Sequence, residues 1–221
     1  MRLNSYFIGK RGRVLRQLNA VAALLCGFSS ARAETAIEAA IALYAAKDYP
    51  GAEAALENIV AANPQNPVAC YYLGMALRHE SDELALKKAA SWLEKAVTLA
   101  PGNAAYVYDY GETCWLIADR ERTVVYAIRG RDAIKKAIAL NPDNLDAREG
   151  LMEFYARATW PFGSSARALA QADEIGRRDS ARGLRAYLRL VQIFEKKADR
   201  RAAGDAGKAA LKLEPSTRVT R

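Results

Sequence analysis

Prolines that each end an Ala- and Leu-rich helical segment recur along the chain, and they constrain its fold more than any other feature. Pro64, Pro101 and Pro142 are 37 and 41 residues apart, and Pro215 follows 73 residues later, which fits two intervals with one proline missing. Ser180 takes the place of the missing proline. Proline ends one helix, and the Asn found two residues after each of the first three prolines can cap the next. The period predicts an array of repeats, each of them one supersecondary unit.

A second regularity lies upstream of each turn. A small residue stands 12 positions before each proline and before the serine that replaces one, namely Ala52, Ala89, Gly130, Ala168 and Ala203. A small side chain at a fixed helical position lets two helix backbones approach closely. We therefore interpret these segments as the second helix of a helix pair, and the segments that carry Leu73-Gly74 and Tyr110-Gly111 as the first.

This pattern resembles the tetratricopeptide repeat family, in which helix pairs of about 34 residues carry Leu-Gly in the first helix, Ala in the second and Pro at the end. Leu73-Gly74, Ala89 and Pro101 carry the resemblance best. It implies an all-α, right-handed solenoid of about five antiparallel helix pairs. The repeats are assigned to 34–66, 67–103, 104–144, 145–180 and 181–215, with a tail at 216–221.

The N-terminal segment has the features of an export signal. Residues 1–33 contain six basic and no acidic residues, and five of the basic residues precede a short apolar run at 18–28. Small residues follow this run up to Ala33. These features predict a secretory signal peptide that is cleaved after Ala33, which would place the mature protein in the periplasm or outside the cell. The apolar run is about half as long as a bilayer requires, so no transmembrane anchor is expected after cleavage. Lipidation of Cys26 is the minor alternative.

Net charge argues against nucleic acid as a partner once this signal is set aside. The whole chain has 33 basic and 25 acidic residues, a net charge of +8, but residues 34–221 retain a net charge of only +2. Within them, 34–156 has a net charge of −6 and 157–221 a net charge of +8. A uniformly basic surface is therefore not expected, and nucleic-acid binding loses its main support.

Catalytic signatures are absent from the sequence. His79 is the single histidine, so no Ser-His or Cys-His pair can be built, and no Gly-rich phosphate loop or cluster of metal-ligating Cys and His is present. We expect no enzyme activity, no cofactor and no metal. Cys70 and Cys114 fall at different positions of their helices, so we interpret them as two separate, packed thiols rather than a disulfide.

The family resemblance implies a binding surface on the inner face of the first helix of each repeat. The candidate ligand-binding residues in repeats two to four are Tyr71, Met75, Arg78, Tyr108, Glu112, Trp115, Glu149 and Glu153. The Lys and Asn with which the family clamps a C-terminal carboxylate are replaced here by Tyr and by Met or Glu, so that mode is not expected. Aromatic side chains with a few charges suit an extended or helical peptide; inter-helix packing of Tyr71 and Trp115 is the alternative.

A basic cluster around the fourth turn gives a second candidate site. Its ligand would be an anionic lipid, a polysaccharide, an acidic protein or the acidic end of a second copy. The cluster consists of Arg177, Arg178, Arg182, Arg185 and Arg189. A third hypothesis, a glycosidase-like pair of carboxylates, involves Glu149 and Glu153.

The sequence favours the first of these sites. It predicts an exported, non-catalytic scaffold that holds a peptide or protein partner within an envelope assembly, secretion or biogenesis complex, and it leaves self-association open.

Overall fold

The computed structural model describes residues 34–79, 82–159 and 161–213, which form ten α-helices and no strand. The predicted signal peptide with Cys26 and Ala33, and the predicted tail, lie outside the described residues. The helices are α1 (34–45), α2 (Tyr49–Ala62), α3 (Pro67–Leu77), α4 (Glu83–Leu99), α5 (Ala104–Glu121), α6 (Val124–Leu140), α7 (Leu145–Arg157), α8 (Ser165–Arg178), α9 (Ser180–Lys196) and α10 (Arg200–Leu213).

The turns between repeats are capped as the Pro-Asn pattern predicts. Asn66 and Asn144 each accept a hydrogen bond of 3.0 Å from a backbone N–H in the first turn of the following helix, and Asn103 does the same at the start of α5. Side-chain oxygens at this position satisfy donors that the helix itself leaves unpaired. Where the proline is missing, Asp179 ends α8 and accepts from Arg182 N–H, so one residue separates α8 from α9.

The helices stack as antiparallel neighbours along the chain. Each helix from α2 onward packs against the next one, and α7 also contacts α9 while α8 contacts α10. Small residues permit this close approach: a Cβ built on Gly183 would lie 2.3 Å from the Cα of Gly176 on the neighbouring helix. The contacts of α7 with α9 and of α8 with α10 join the helix pairs of successive repeats, as in a solenoid in which each unit contacts its neighbours.

The small residue that precedes each turn by 12 positions is buried in four of the five repeats. Ala52, Ala89 and Ala168 are fully buried, and Gly130 is also buried. In the last repeat the equivalent small residue, Ala203, is only half-buried, and the buried face of α10 consists of Ala202, Ala206 and Ala210. Counting back from Pro215 therefore misplaces the buried face of α10 by one residue.

None of the helices in the described part of the chain is long and apolar enough to span a lipid bilayer.

Candidate functional site

An open groove of about 770 Å³ lies between α5 and α7, beside the start of α6. Five of the eight predicted ligand-binding residues line it: Tyr108, Glu112, Trp115, Glu149 and Glu153. They share a groove because α5 and α7 are the first helices of adjacent repeats and present equivalent faces.

The three predicted residues on α3 and at its C-cap lie outside this groove. The Tyr71 hydroxyl donates a hydrogen bond of 2.7 Å to Asp109 Oδ2, and an Arg78 guanidinium nitrogen lies 3.7 Å from Asp109 Oδ1. Tyr71 is also stacked on Tyr106, with ring centroids 4.3 Å apart. Met75 is half-buried on the same helix. Tyr71 and Arg78 therefore join α3 to α5, which is the packing role that stood as the alternative for Tyr71.

Trp115 combines a packing role with its place in the groove wall. Its indole Nε1 donates a hydrogen bond of 3.2 Å to the Ala127 carbonyl, and its ring is stacked on Phe154 with centroids 5.9 Å apart. A Cβ built on Gly130 or on Gly150 would lie 2.4 Å or 2.6 Å from the ring, so both glycines leave room for the indole. The half-buried ring fixes the spacing of α5, α6 and α7.

Several residues that line the groove were not predicted from the sequence. Asp146 precedes Glu149 by three residues and Arg157 follows Glu153 by four, so each lies one helical turn further along the same face of α7. Extending the helical period by one turn in each direction would have found both. Phe154 also lines the groove. Its place there depends on its contact with Trp115, which the sequence does not show.

Two carboxyl groups on α5 are held in partly desolvated surroundings. Burial is the largest cause that raises the pKa of Glu112, and the charges of Asp109 and Asp146 raise it further against the opposing effect of Arg78. Burial also raises the pKa of Asp109, although its hydrogen bond from Tyr71 acts in the opposite direction. Glu112 forms no ion pair with any residue that the structure describes.

Burial, with the nearby Glu112 charge as the next cause, raises the pKa of Tyr108 to about 12. The Tyr108 side chain therefore remains a neutral phenol at physiological pH, and it can donate a hydrogen bond in the groove.

The acidic face of α7 is bound to the basic face of α9. Arg182 pairs with both Asp146 and Glu149. Arg189 Nε lies 3.0 Å from Glu153 Oε1, and Arg157 Nε lies 2.9 Å from the other oxygen of the same carboxylate. The predicted acidic part of the groove and the predicted arginine cluster are therefore two sides of one interface between repeats.

The rest of the arginine cluster is also largely neutralised. Arg177 and Arg178 both pair with Glu174, and Arg178 Nε lies 3.0 Å from Asp143 Oδ1. Arg185 is exposed and forms no ion pair with the residues that the structure describes. Four of the five arginines therefore have an acidic partner within the chain, so the cluster presents less positive charge to a ligand than its sequence suggests.

A smaller cavity of about 270 Å³ adjoins this interface on the side of α9. Its cationic lining comes from Arg157, Arg189, Lys196 and Lys197. Lys197 Nζ is already engaged, because it donates to carbonyl oxygens at the C-terminal end of α7, including that of Ala156 at 2.9 Å. No acidic side chain is among the described residues that line this cavity.

The remaining chemically reactive side chains have structural positions. Cys70 and Cys114 are free and buried, which confirms two separate thiols, and burial raises the pKa of Cys114 to about 11. His79 is exposed at the end of α3, with its ring stacked on Tyr49 at 3.8 Å. No group of three or more His, Cys, Asp or Glu that could hold a metal occurs among the described residues. Glu153 lies between two guanidinium groups, not in the apolar pocket that a glycosidase general acid requires.

The fold and this groove together define a class of protein, a stacked helix-pair solenoid with an open groove on its first helices. No protein-family model matches the sequence, and no curated protein is similar to it by sequence. Solved structures do match. The MamA protein is 23% identical over 82% of this chain and 91% of its own, with a TM-score of 0.65.

Two further neighbours are described as tetratricopeptide-repeat (TPR) proteins. YrrB, a TPR protein with an unusual peptide-binding site, is 18% identical over 82% of this chain and 86% of its own, with a TM-score of 0.63. TTC0263 from Thermus thermophilus is 20% identical over 84% of this chain and 93% of its own, with a TM-score of 0.52. The chain has the tetratricopeptide-repeat fold, as the Leu-Gly, Ala and Pro pattern predicts.

Proposed function

We propose that this chain is a non-catalytic scaffold that holds a segment of a partner protein in the groove between α5 and α7. The observation that carries the proposal is the groove itself, which is open, about 770 Å³ in volume and lined by three aromatic side chains and several charged ones. Aromatic anchors surrounded by polar groups are the usual composition of a peptide-binding surface. The description of YrrB as a TPR protein with a peptide-binding site supports the same use of this fold.

The rigidity of the groove wall also supports peptide binding. Trp115 is held by a hydrogen bond, by stacking on Phe154 and by two glycines, so the ring does not have to be ordered when a ligand arrives. A preorganised surface loses less conformational entropy on binding than a mobile one. Tyr108 offers its neutral hydroxyl group from the same wall.

The experiment should block the groove without removing its packing residues. Ala118 lines the groove on α5, and Ala118→Arg places a long side chain in it. Ala139→Arg on α6 is the matched control, because Ala139 is exposed and lies outside the groove. Peptides selected from a random library on the wild-type protein should bind Ala118→Arg at least about tenfold more weakly and the control variant equally well. Equal binding to both variants would overturn the groove as the site.

Export and a place in an envelope assembly, secretion or biogenesis complex complete the proposal. Export is supported by the basic, apolar and small-residue order of residues 1–33. N-terminal sequencing of the mature protein should give Glu34 as the first residue. An unprocessed N-terminus in the cytoplasmic fraction would contradict export, and an acylated Cys26 would indicate a tethered protein.

The basic cavity between α7 and α9 favours a second candidate function, the binding of an acidic group of a lipid, polysaccharide or protein. Lys196→Gln removes one exposed cation from it, and Arg185→Gln removes an exposed cation of α9 that does not line it. Anionic vesicles should bind the first variant more weakly than the second in a salt-dependent manner. Equal retention of both variants would contradict this function.

A further inference from the structure

The groove contains a half-buried carboxylate that forms no ion pair with the residues that the structure describes. Of the acidic side chains that line the groove, Asp146, Glu149 and Glu153 pair with arginines of neighbouring elements. Asp119 lies exposed at the rim, where water solvates it. Glu112 is half-buried and forms no ion pair with the residues that the structure describes. The charge of Arg78 acts on Glu112 without forming an ion pair with it, so Glu112 is the half-buried acid of the groove that is available to pair with a cation of a bound partner.

Aromatic side chains and the Glu112 carboxylate meet at the same point of the groove. A Cβ built on Gly150 would lie 3.6 Å from Glu112 Oε1 and 2.6 Å from the Trp115 ring. The absence of a side chain at Gly150 thus leaves the carboxylate and the indole side by side on the surface of α7. Phe154 continues the apolar surface, because it is stacked on Trp115.

This arrangement matches the chemistry of a lysine or arginine side chain. Such a side chain is amphipathic, with an apolar stem that packs on aromatic rings and a cationic head that prefers a carboxylate. A carboxylate that has already lost part of its hydration interacts more strongly with a cation than an exposed one does, since the local dielectric constant is lower. The raised pKa of Glu112, caused chiefly by burial, is consistent with that loss of hydration.

We infer that the groove selects a partner segment with a lysine or arginine side chain whose cationic head pairs with Glu112 and whose stem lies against Trp115 and Phe154. This inference rests on the proposed peptide-binding function and adds the chemistry of the ligand to it. An acidic or wholly apolar segment would desolvate the half-buried Glu112 further without providing an ion pair, so such segments should bind more weakly.

The experiment uses the full-length mature protein and N-acetylated peptides selected on it from a random library, so that only a side chain can supply the cation. We expect a basic residue at a fixed position of the selected peptides. Replacing that residue by norleucine should weaken binding to the wild-type protein about tenfold, which is typical of one charge-assisted hydrogen bond. The same replacement should have no effect on binding to Glu112→Gln, because the pairing group is gone.

Asp119→Asn is the matched control, since it removes one acidic charge from the rim of the same groove. It should retain the wild-type preference for the basic peptide. The inference is overturned if the wild-type protein binds the basic and norleucine peptides equally, if Glu112→Gln weakens both to the same degree, or if discrimination requires a free N-terminal amine. Failure of the proposed function looks different, because Ala118→Arg would then leave the binding of every selected peptide unchanged.

Discussion

A single methyl group at Gly130 should strain the structure that holds the groove together. A Cβ at this position would lie 2.4 Å from Trp115 Cδ1 and 2.6 Å from Trp115 Nε1, and 2.9 Å from the backbone oxygen of Gly111. Ordinary carbon contacts are about 3.5 to 4.0 Å, so the overlap is about 1 Å. The substitution Gly130→Ala therefore forces either the indole or the α5 backbone to move.

Movement of the indole or of the α5 backbone would cost free energy of folding. Trp115 is fixed by its hydrogen bond to Ala127, by its stacking on Phe154 and by the close approach of Gly150 on the opposite side. Overpacking of a well-filled site costs about 1 to 3 kcal/mol, and the constraints on three sides place Gly130→Ala toward the upper value. Alanine recovers about 1 kcal/mol of helix propensity relative to glycine. The expected net loss is about 2 kcal/mol of unfolding free energy.

The assay is urea unfolding and thermal unfolding of the purified protein, followed by far-UV circular dichroism. For a chain of this size, a loss of about 2 kcal/mol lowers the Tm by about 4 to 8 °C. Gly204→Ala on α10 is the matched control, because a Cβ there meets nothing within 4 Å. The control should be more stable than the wild-type protein by about 0.5 to 1 kcal/mol, since only the helix-propensity term remains.

A second background tests the assigned cause. In a Trp115→Leu protein the ring that meets the new methyl group is absent, so Gly130→Ala should cost less than half as much as it does in the wild type. The reasoning is refuted if Gly130→Ala is as stable as the wild-type protein, or if its cost is the same in both backgrounds.

Three further predictions concern other parts of the solenoid. Gly183→Ala should cost about 3 kcal/mol in urea unfolding, because the new Cβ would lie 2.3 Å from the backbone of Gly176, and a wild-type midpoint would contradict the close helix contact. Lys197→Met should lose about 1 kcal/mol by removing a cation that bonds the C-terminal carbonyls of α7, whereas Lys196→Met should lose nothing measurable; equal losses would refute the capping role. Because burial raises the folded-state pKa of Glu112, its charged form disfavours folding at neutral pH, and this penalty disappears as the pH falls through the folded pKa. Glu112→Gln should therefore raise the Tm at neutral pH, with a gain that shrinks toward the ordinary pKa of 4.5, and a gain independent of pH would contradict it.

Local signals accounted for the helices and their ends. The Pro-Asn turns predict both a stop and a cap, and Asn66 and Asn144 do accept the capping hydrogen bonds. At the turn without a proline, Asp179 supplies the same cap, so the period still indicates the boundary. In the last repeat the position counted back from Pro215 does not lie on the buried face of α10. Contacts of α10 with α9 and α8 define that face, and the sequence spacing does not show them.

The groove was predictable only in part, since a helical face can be read from spacing but the contacts between helices cannot. Equivalent positions of adjacent first helices correctly brought Tyr108, Glu112 and Glu149 to one cavity. The pairing of α7 acids with α9 arginines depends on residues 33 to 36 positions apart. That distance is about one repeat. A comparison of the charges at equivalent positions of successive repeats would therefore have indicated the pairing.

This pairing gives part of the charge asymmetry of the chain a structural role. The acidic first part and the basic last part suggest two separate binding faces, yet Arg182 and Arg189 direct their charge at Asp146, Glu149 and Glu153 of the preceding repeat. Exposed ion pairs of this kind add little stability individually, but a matched set disfavours other stacking orders because like charges would then meet.

A ligand therefore meets much less charge than the sequence suggests. Arg182 and Arg189 pair with acids across the interface between repeats, whereas the half-buried Glu112 forms no ion pair with the described residues. Stability alone would favour glutamine at that position, since burial penalises the charged form. A charge kept at such a cost is expected where it serves binding. The stability gain and the loss of cation selectivity predicted for Glu112→Gln thus have one origin, a carboxylate that is partly desolvated and forms no ion pair with the described residues.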